Sequence, residues 1–529
     1  MIGKGRHTLQ TPVKAITKDN VISVIQSVMA KFRENAGDCQ FLLDFKAGIQ
    51  PLVRKSEKKV MAWIDNEVVD NVAREITEFW CGFGWSTPIT FVRRGDCEDD
   101  DGSKRDGIKL LNNSFAETGC EGDLQRLADF VETCGICYTL VDFNKEWEEG
   151  ESYFTRDVLD PRNAFVIRSS YYSDRRIMLG VTFRFDEKGN IFMTAYSKDS
   201  IYDIVGDKIV NSNAKDFDAG NFSFRQTDYS GMANPLGRVQ VCEWIRAVDR
   251  TGVFESQINS LNNINLLLSN ISNGVQEGIE AIWWGNNIEF ETYTYEDEEG
   301  NEQTAVRKPQ SGEWLVTSTP RDGGAPTVQP LVLDYHLDDM RNNYLAQRTL
   351  ILQKCHVPQR NNNTGSSSGL AMDLSAGWTE AESYAGAQET ITIGCAKAEL
   401  KVVLAALRES PDIAPDNPML SILVSDIDPC IRRPKNFELT VKTNAFCALL
   451  AKGVSLEDAL AAAPLVPDPA QFISRSGEGI RRYQEANVWK TETIEVEEEK
   501  RPFPDISDEI AQSPHVDGLS LGEDGKIDE

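Results

Sequence analysis

The order of segments in the second half of the chain constrains its fold more than any other feature. Ile258, Leu261, Ile264, Leu268, Ile271, Val275 and Ile279 recur at helical spacing, the pattern of a helix with one buried stripe. This predicts a helix over 254–280. Asn259, Asn262, Asn263, Asn265, Asn270 and Asn273 lie between the apolar positions and predict a polar, mostly uncharged opposite face. A strand-like stretch, Ala281-Ile-Trp-Trp-Gly285, follows. After an acidic, turn-rich excursion a second helix is predicted over 337–355, with Leu337, Met340, Tyr344, Ile351 and Cys355 on one face. Val357-Pro358 ends it, because a residue before proline is pushed out of helical geometry. Then comes a polar loop, Gln359-Arg-Asn-Asn-Asn-Thr-Gly-Ser-Ser-Ser368, expected to be mobile. Gly369-Leu-Ala-Met-Asp-Leu374 opens a third, long helix through Trp378, Ala381, Ala385, Ile391, Cys395, Ala398, Val402 and Ala405.

The rest of the chain mixes helix and strand. Asp19-Asn20 can cap a helix through Ile22, Val24, Ile25, Val28 and Met29. Phe41 to Lys55 reads as a separate short helix that breaks at Gly48 into extended chain. Val68, Val69, Val72, Ile76 and Phe79 have a helical period, predicting a helix over 66–79 before a strand at Pro88–Val92. A helix over 124–134 leads into a strand, Ile136–Asp142. Residues 153–209 predict a β-meander with strands at Ala164–Ile167, Met178–Phe185, Ile191–Tyr196 and Ile201–Val205, and a hairpin turn at Lys188-Gly-Asn190. Asn234-Pro-Leu-Gly-Arg238 is a turn before a strand at Val239–Trp244. The acidic excursion holds a hairpin around Glu296-Asp-Glu-Glu-Gly300 and strands at Trp314–Thr317 and Val328–Leu333. Beyond the long helix, a strand is predicted at Leu420–Ile427 and helices at 437–451, 456–462 and 469–489. Ser455 is a good N-cap for the second of these helices. From Thr491 the chain is Glu-rich and poor in apolar residues, a disordered tail by composition. The fold class is α+β.

Composition narrows the function classes. The net charge of −28 repels nucleic acid at long range. It argues against a protein that grips DNA through many phosphate contacts, and is compatible with one that lets DNA slide past. No apolar run approaches the roughly 18–20 residues that span a bilayer, and the start, Met1-Ile-Gly-Lys-Gly-Arg-His7, has no apolar core of a signal peptide. The 11 cysteines then read as reduced, buried thiols. Cys134-Gly-Ile-Cys137 has no second pair at zinc spacing, and reads as packed thiols near a strand rather than a metal or redox site. Gly95-Asp-Cys-Glu-Asp-Asp-Asp-Gly-Ser103 is acidic but lacks the spacing and closing Glu of a calcium-binding EF-hand loop. No Gly-x4-Gly-Lys-Ser/Thr phosphate loop is present, so the chain is not expected to be an ATPase.

A set of weak motifs in a fixed order carries a resemblance. The segments are Phe45-Lys-Ala-Gly-Ile-Gln-Pro-Leu-Val-Arg54; Asn71 to Ile89, ending Gly82-Phe-Gly-Trp-Ser-Thr-Pro-Ile89; Pro235-Leu-Gly-Arg-Val-Gln-Val241; Ser367-Ser-Gly-Leu-Ala371; and Lys452-Gly-Val-Ser-Leu-Glu-Asp458 followed by Val466-Pro-Asp-Pro469. Together they resemble the tailed-bacteriophage portal proteins, the head-to-tail connectors, over most of residues 40–485. The resemblance implies a homo-oligomeric ring of about twelve subunits, each a portal-type subunit with long stem helices, a β-rich wing and a small inserted α/β clip. Residues 1–253 and 369–435 would be wing, 254–280 and 337–356 the stem, 281–336 the clip, 357–368 the tunnel loop, 436–490 the crown and 491–529 the acidic tail.

The same resemblance implies a conduit for packaging and ejecting double-stranded DNA. The ring would sit at the portal vertex of the virion after assembly in the host cytoplasm. Partners would be the terminase large subunit, head-completion or adaptor proteins, and the major capsid and scaffolding proteins, with no membrane. Gln359, Arg360, Asn361, Asn362, Asn363, Thr364, Ser366 and Ser367 would face DNA through sequence-blind contacts. Glu296, Asp297, Glu298, Glu299 and Trp314 would form the docking clip. Ile264, Leu268, Ile271, Val275, Met340, Tyr344 and Ile351 would pack the stem, with its polar faces lining the lumen. No catalytic residue, metal or cofactor is implied, and the chain is not expected to be an enzyme. Two alternatives stand beside this reading: another oligomeric scaffold, and a metal-dependent hydrolase using acid groups such as Asp99–Asp101 or Glu296–Glu299. The acid groups sit in Gly-bounded loops with no His or apolar pocket beside them, which favours solvated charge.

Overall fold

A computed structural model of the chain describes residues 4–51, 64–94, 103–118, 121–185, 191–206, 222–225, 231–279, 282–286, 292–296, 302–306, 327–331, 336–359, 377–431, 433, 436–463, 465, 472–473 and 476–482. They fall into two compact units, residues 1–441 with 465–468, and residues 442–464 with 469–529.

The first unit opens with β1 (Gln10–Thr11) and α1 (Val21–Ala47). Where two helices were expected there is one of 27 residues. Val21, Val24, Ile25, Val28, Met29, Phe32, Asn35, Cys39, Leu42 and Phe45 keep one face buried throughout, so burial carries the helix across the polar middle. Asn20 precedes it but does not cap its N–H groups; its Oδ1 accepts from the Thr17 N–H at 2.8 Å. Gly48 closes the helix in the left-handed region at φ 96°, which glycine occupies without a Cβ clash. The predicted helix over 66–79 is corrected: α2 is Val72–Gly84, capped by the Asn71 side chain, and Val68 and Val69 lie before it.

Strand β2 (Thr90–Arg93) pairs antiparallel with β16 (Ile427–Cys430). The strand predicted at 420–427 is displaced to 427–430, because Asn417 caps a 3-10 turn at Pro418–Ser421 and a second turn spans Val424–Asp426. Helix α3 (Ser103–Glu117), not among the expected elements, packs beside the first of these turns. Helix α4 (Glu121–Cys134) leads into β3 (Ile136–Phe143).

A three-stranded sheet of order β11-β3-β4 joins β3 to β4 (Phe154–Leu159) and β11 (Val241–Ile245). The meander forms a larger sheet from β5 (Ala164–Ser169), β6 (Ile177–Phe185), β7 (Ile191–Ser197) and β8 (Ser200–Gly206). β1 adds in parallel to β5, and β9 (Phe222–Phe224) and β10 (Met232–Ala233) pair with β8. Strand β7 alternates buried and half-buried residues along its length, as a sheet with one covered face requires. Phe165, Leu179, Val181, Met193 and Ile204 cover α1 with it.

Helix α5 (Ile258–Ile279) follows a 3-10 turn at Glu255–Gln257. The excursion contains β12 (Ile282–Asn286) paired with β15 (Thr327–Leu331), and the hairpin β13 (Thr292–Glu296) with β14 (Glu302–Val306). Helix α6 (Leu337–Lys354) returns, and α7 (Trp378–Glu409) crosses the unit. The long helix expected from Gly369 is described from Trp378 onward, where Gly377, at φ 82°, precedes its first turn; the expected start at 369–376 lies outside the described residues.

Helix α8 (Asn436–Ala451) carries the chain into the second unit, where α9 (Leu456–Ala462) is capped by Ser455, whose Oγ accepts from the Asp458 N–H at 3.1 Å. Residues 472–473 and 476–482 are helical there. The turn at 188–190, the strand at 314–317, the acidic loop at 95–102 and the tail from 491 lie outside the described residues.

Candidate functional site

The paired helices α5 and α6 are rooted in one apolar cluster. Ile258, Leu261 and Ile264 at the start of α5 share it with Ile351, Leu352 and Cys355 at the end of α6. The two helices are therefore antiparallel, and their far ends are bridged by β12 and β15. Phe45 of α1 stacks on Phe254 just before α5, with ring centroids 5.9 Å apart. The Phe45-Gly48-Gln50 motif thus has a structural task. Phe45 seats the root, Gly48 turns the chain, and Gln50 becomes a buried hub. Gln50 Nε2 donates to Phe45 O at 2.9 Å and to Asn71 Oδ1 at 3.0 Å, while its Oε1 accepts from Asn265 Nδ2 at 2.6 Å.

The asparagines of α5 do not form one exposed face. Asn259, Asn263 and Asn270 are exposed, but Asn265 and Asn273 are buried, together with Ser269. These three stand at successive i, i+4 positions and accept from main-chain N–H groups of the segment before α2. Asn66 N donates to Asn273 Oδ1 at 2.7 Å, Val68 N to Ser269 Oγ at 3.0 Å, and Asp70 N to Asn265 Oδ1 at 3.0 Å. Four helical residues rise about 6 Å and two extended residues about 6.6 Å, so the two series stay in step over this length. The helix side chains act as the missing neighbouring strand. This is also why Val68 stays out of α2: its backbone N–H and C=O already have Ser269 Oγ as partner.

Helix α6 holds the end of the same segment through the Asp70 carboxylate. The Tyr344 hydroxyl donates to Asp70 Oδ2 at 2.7 Å, and Arg348 Nε to the same oxygen at 3.1 Å. Burial and the Asp70 bond push the Tyr344 phenol up to about 12, so it stays a neutral donor. Arg348 also pairs with Glu75 of α2.

Positive backbone φ angles flank α6 and occur once more upstream of α5. Among the described residues, the non-glycine residues with positive φ are Arg250, His336 and His356. Arg250 precedes α5, His336 precedes α6, and His356 follows α6. Such backbone persists only where the surroundings hold it. Arg250 donates to Glu243 at 3.1 Å and to Thr8 Oγ1 at 2.6 Å. Glu243 is buried, which would raise its pKa, but Arg250 and Arg168 outweigh burial and hold it below the ordinary carboxylate value.

The expected stem-packing residues divide. Ile264 and Ile351 are fully buried within the subunit, Leu268, Ile271, Met340 and Tyr344 are half-buried, and Val275 is exposed. Of the expected loop residues, Gln359 is described: its Nε2 donates to Thr349 O at 2.7 Å, tying the loop's first residue back onto α6. Arg360, Asn361, Asn362, Asn363, Thr364, Ser366 and Ser367 lie outside the described residues, as do Asp297, Glu298, Glu299 and Trp314; Glu296 ends β13. Cys134 and Cys137 are both buried, and burial pushes both thiols well up. No group of His, Cys, Asp and Glu able to hold a metal ion occurs among the described residues. No helix among them is long and apolar enough to cross a membrane.

The site is thus an antiparallel helix pair, rooted in a mixed α+β body and carrying a small strand insert between its helices. The family model of the phage portal proteins, SPP1 Gp6-like, matches residues 50–498. The chain belongs to that family of tailed-phage portal, or head-to-tail connector, proteins, a structural and non-enzymatic family of the virion capsid. No curated protein matches the chain.

Proposed function

We propose that the chain assembles into a ring of about twelve subunits at the unique capsid vertex and forms the conduit through which double-stranded DNA is packaged and ejected. The observation that carries this reading is the family match over residues 50–498, a range that includes α5, the excursion, α6 and α7. In this reading 254–280 and 337–356 are the stem, 281–336 the clip, 357–368 the tunnel loop, 436–490 the crown, and 1–253 with 369–435 the wing. Residues 491–529 are an appended tail. The terminase large subunit docks on the clip during packaging, and adaptor proteins replace it afterwards. The wing meets capsid and scaffolding proteins.

The physical argument is electrostatic. A chain of net charge −28 surrounds DNA with like charge, which disfavours tight, salt-dependent phosphate binding at every register. The polar loop then touches the backbone without reading sequence, and Arg360 is its one charge. The half-buried and exposed apolar residues of α5 and α6, Leu268, Ile271, Val275 and Met340, are free of the subunit's own core cluster and pack on the next subunit.

Electron microscopy of the purified chain tests the reading. End-on views showing rings with an open channel and about twelvefold symmetry are the expected result. Closed particles without an axial opening, at concentrations where the chain oligomerises, would favour a different scaffold. Removal of Thr491–Glu529 is expected to leave the rings unchanged.

A further inference from the structure

We propose that His356 is a latch that ties the C-terminal end of α6 to the first two turns of α7. The backbone argument comes first. Helix α6 closes with a paired capping arrangement: His356 N–H donates to Gln353 O and Val357 N–H to Leu352 O, both at 2.9 Å. Val357 and Leu352 are buried together at this end. His356 occupies the left-handed position of that motif, at φ 55°, where glycine is the usual residue because a Cβ is disfavoured. Pro358 stops the helix from running on instead.

The side chain supplies the compensation. A carboxylate can only accept, so His356 Nδ1 donates to Glu380 Oε1, 2.9 Å away in the first turn of α7. The imidazole also stacks on Tyr384, one turn further on, at 4.2 Å between centroids and 21° between planes. The seat beneath is fixed. Tyr384 Oη accepts from Arg246 at 2.7 Å, and Arg246 Nε donates to Glu132 at 2.9 Å. Glu132 accepts from Trp85 Nε1 at 3.1 Å, and Trp80 Nε1 donates to Cys355 O at 3.0 Å. The outer pair is different: the His356 and Glu380 side chains are 30% and 64% exposed. A solvent-reached pair on a buried seat is the part that opens and closes. Opening it releases the Glu380 bond and the ring stack at the outer edge, while Leu352, Cys355 and Val357 keep their apolar cluster with Ala385. The latch follows from these two helices alone and does not depend on the channel reading.

Amide hydrogen exchange of the full chain tests it. His356→Gly fits the left-handed position better, so the unfolding midpoint is expected to hold or rise. Exchange at residues 378–385 is expected to rise about fivefold because the tie is gone. Glu380→Gln keeps the backbone and the ring stack, and is expected to raise exchange at the same residues by a smaller factor. Unchanged exchange at 378–385 in both variants overturns the latch. So does a His356→Gly chain with a lowered midpoint and faster exchange throughout, the behaviour of an ordinary packing residue. Should that chain fail to fold, Glu380→Gln decides by the same readout.

Discussion

The two halves of α7 are held in different ways. From Cys395 onward, Ala396, Leu400, Val402, Val403, Leu404, Ala406 and Leu407 are buried, and most pack with Phe91, Ile108, Leu111, Phe154 and Ile422. Up to Gly394, the buried residues are Ala381 and Ala385; Trp378, Tyr384 and Ile391 pack at the edge of apolar clusters, and directional contacts add to that packing. Glu380 meets His356, Tyr384 meets Arg246, and Glu382 and Glu389 both meet Arg433. Apolar burial is non-directional and tolerates small shifts. Ion pairs and hydrogen bonds hold one geometry and release when it changes. The second half is thus the anchor, and the first is the adjustable part that meets the end of the helix pair.

Five substitutions sharpen or break this contrast. The largest effect is expected from Glu399→Ala, at the boundary. Glu399 receives Arg156 at 2.9 Å, with the two side chains 5% and 12% exposed. Removing it strands a buried guanidinium and is expected to cost about 3–5 kcal/mol, read as a drop in the urea midpoint. Leu400→Ala or Leu407→Ala should cost about 2–5 kcal/mol by opening a cavity. A loss no larger than that of a surface residue would show that the second half is not the anchor.

Asn265→Ala probes the other polar grip, along α5. It leaves the Asp70 N–H and the Gln50 Oε1 without partners, and about 1–3 kcal/mol should be lost. Proteolysis between α1 and α2 should quicken in parallel. The smallest effect is expected from Gly394→Ala, where an added Cβ meets nothing within 4 Å. It should stabilise the chain by up to about 1 kcal/mol, the helix propensity difference. A lowered midpoint would mean that the helix backbone there is not ordinary.

Much of this was legible from periodicity. Residues that bury one face of a regular element announce it, so β5 to β8, α6 and α9 fall where their patterns put them. Ile264 and Ile351 were readable as core for the same reason. Val68 and Val69 misled, because a helical period of valines also fits an extended chain with side-chain partners. The buried set Asn265, Ser269 and Asn273 escaped because periodicity marks a face as polar and says nothing about what lies against it. A ladder of amides and hydroxyls at i, i+4 spacing was the available signal. His356 carried a fainter one, Pro358 two residues beyond it, which marks a helix end but not a left-handed residue.

The sequence alone determined most of the element order, the family and the net charge, because these depend on local pattern and composition. Only the tertiary structure decided which asparagines are buried, which residues carry strain and which half of α7 is anchored. Those properties arise where segments distant in the chain, such as 66–70 and 265–273, meet side chain to main chain. A hydrogen bond depends on the position of both partners, and one-dimensional spacing describes only one of them.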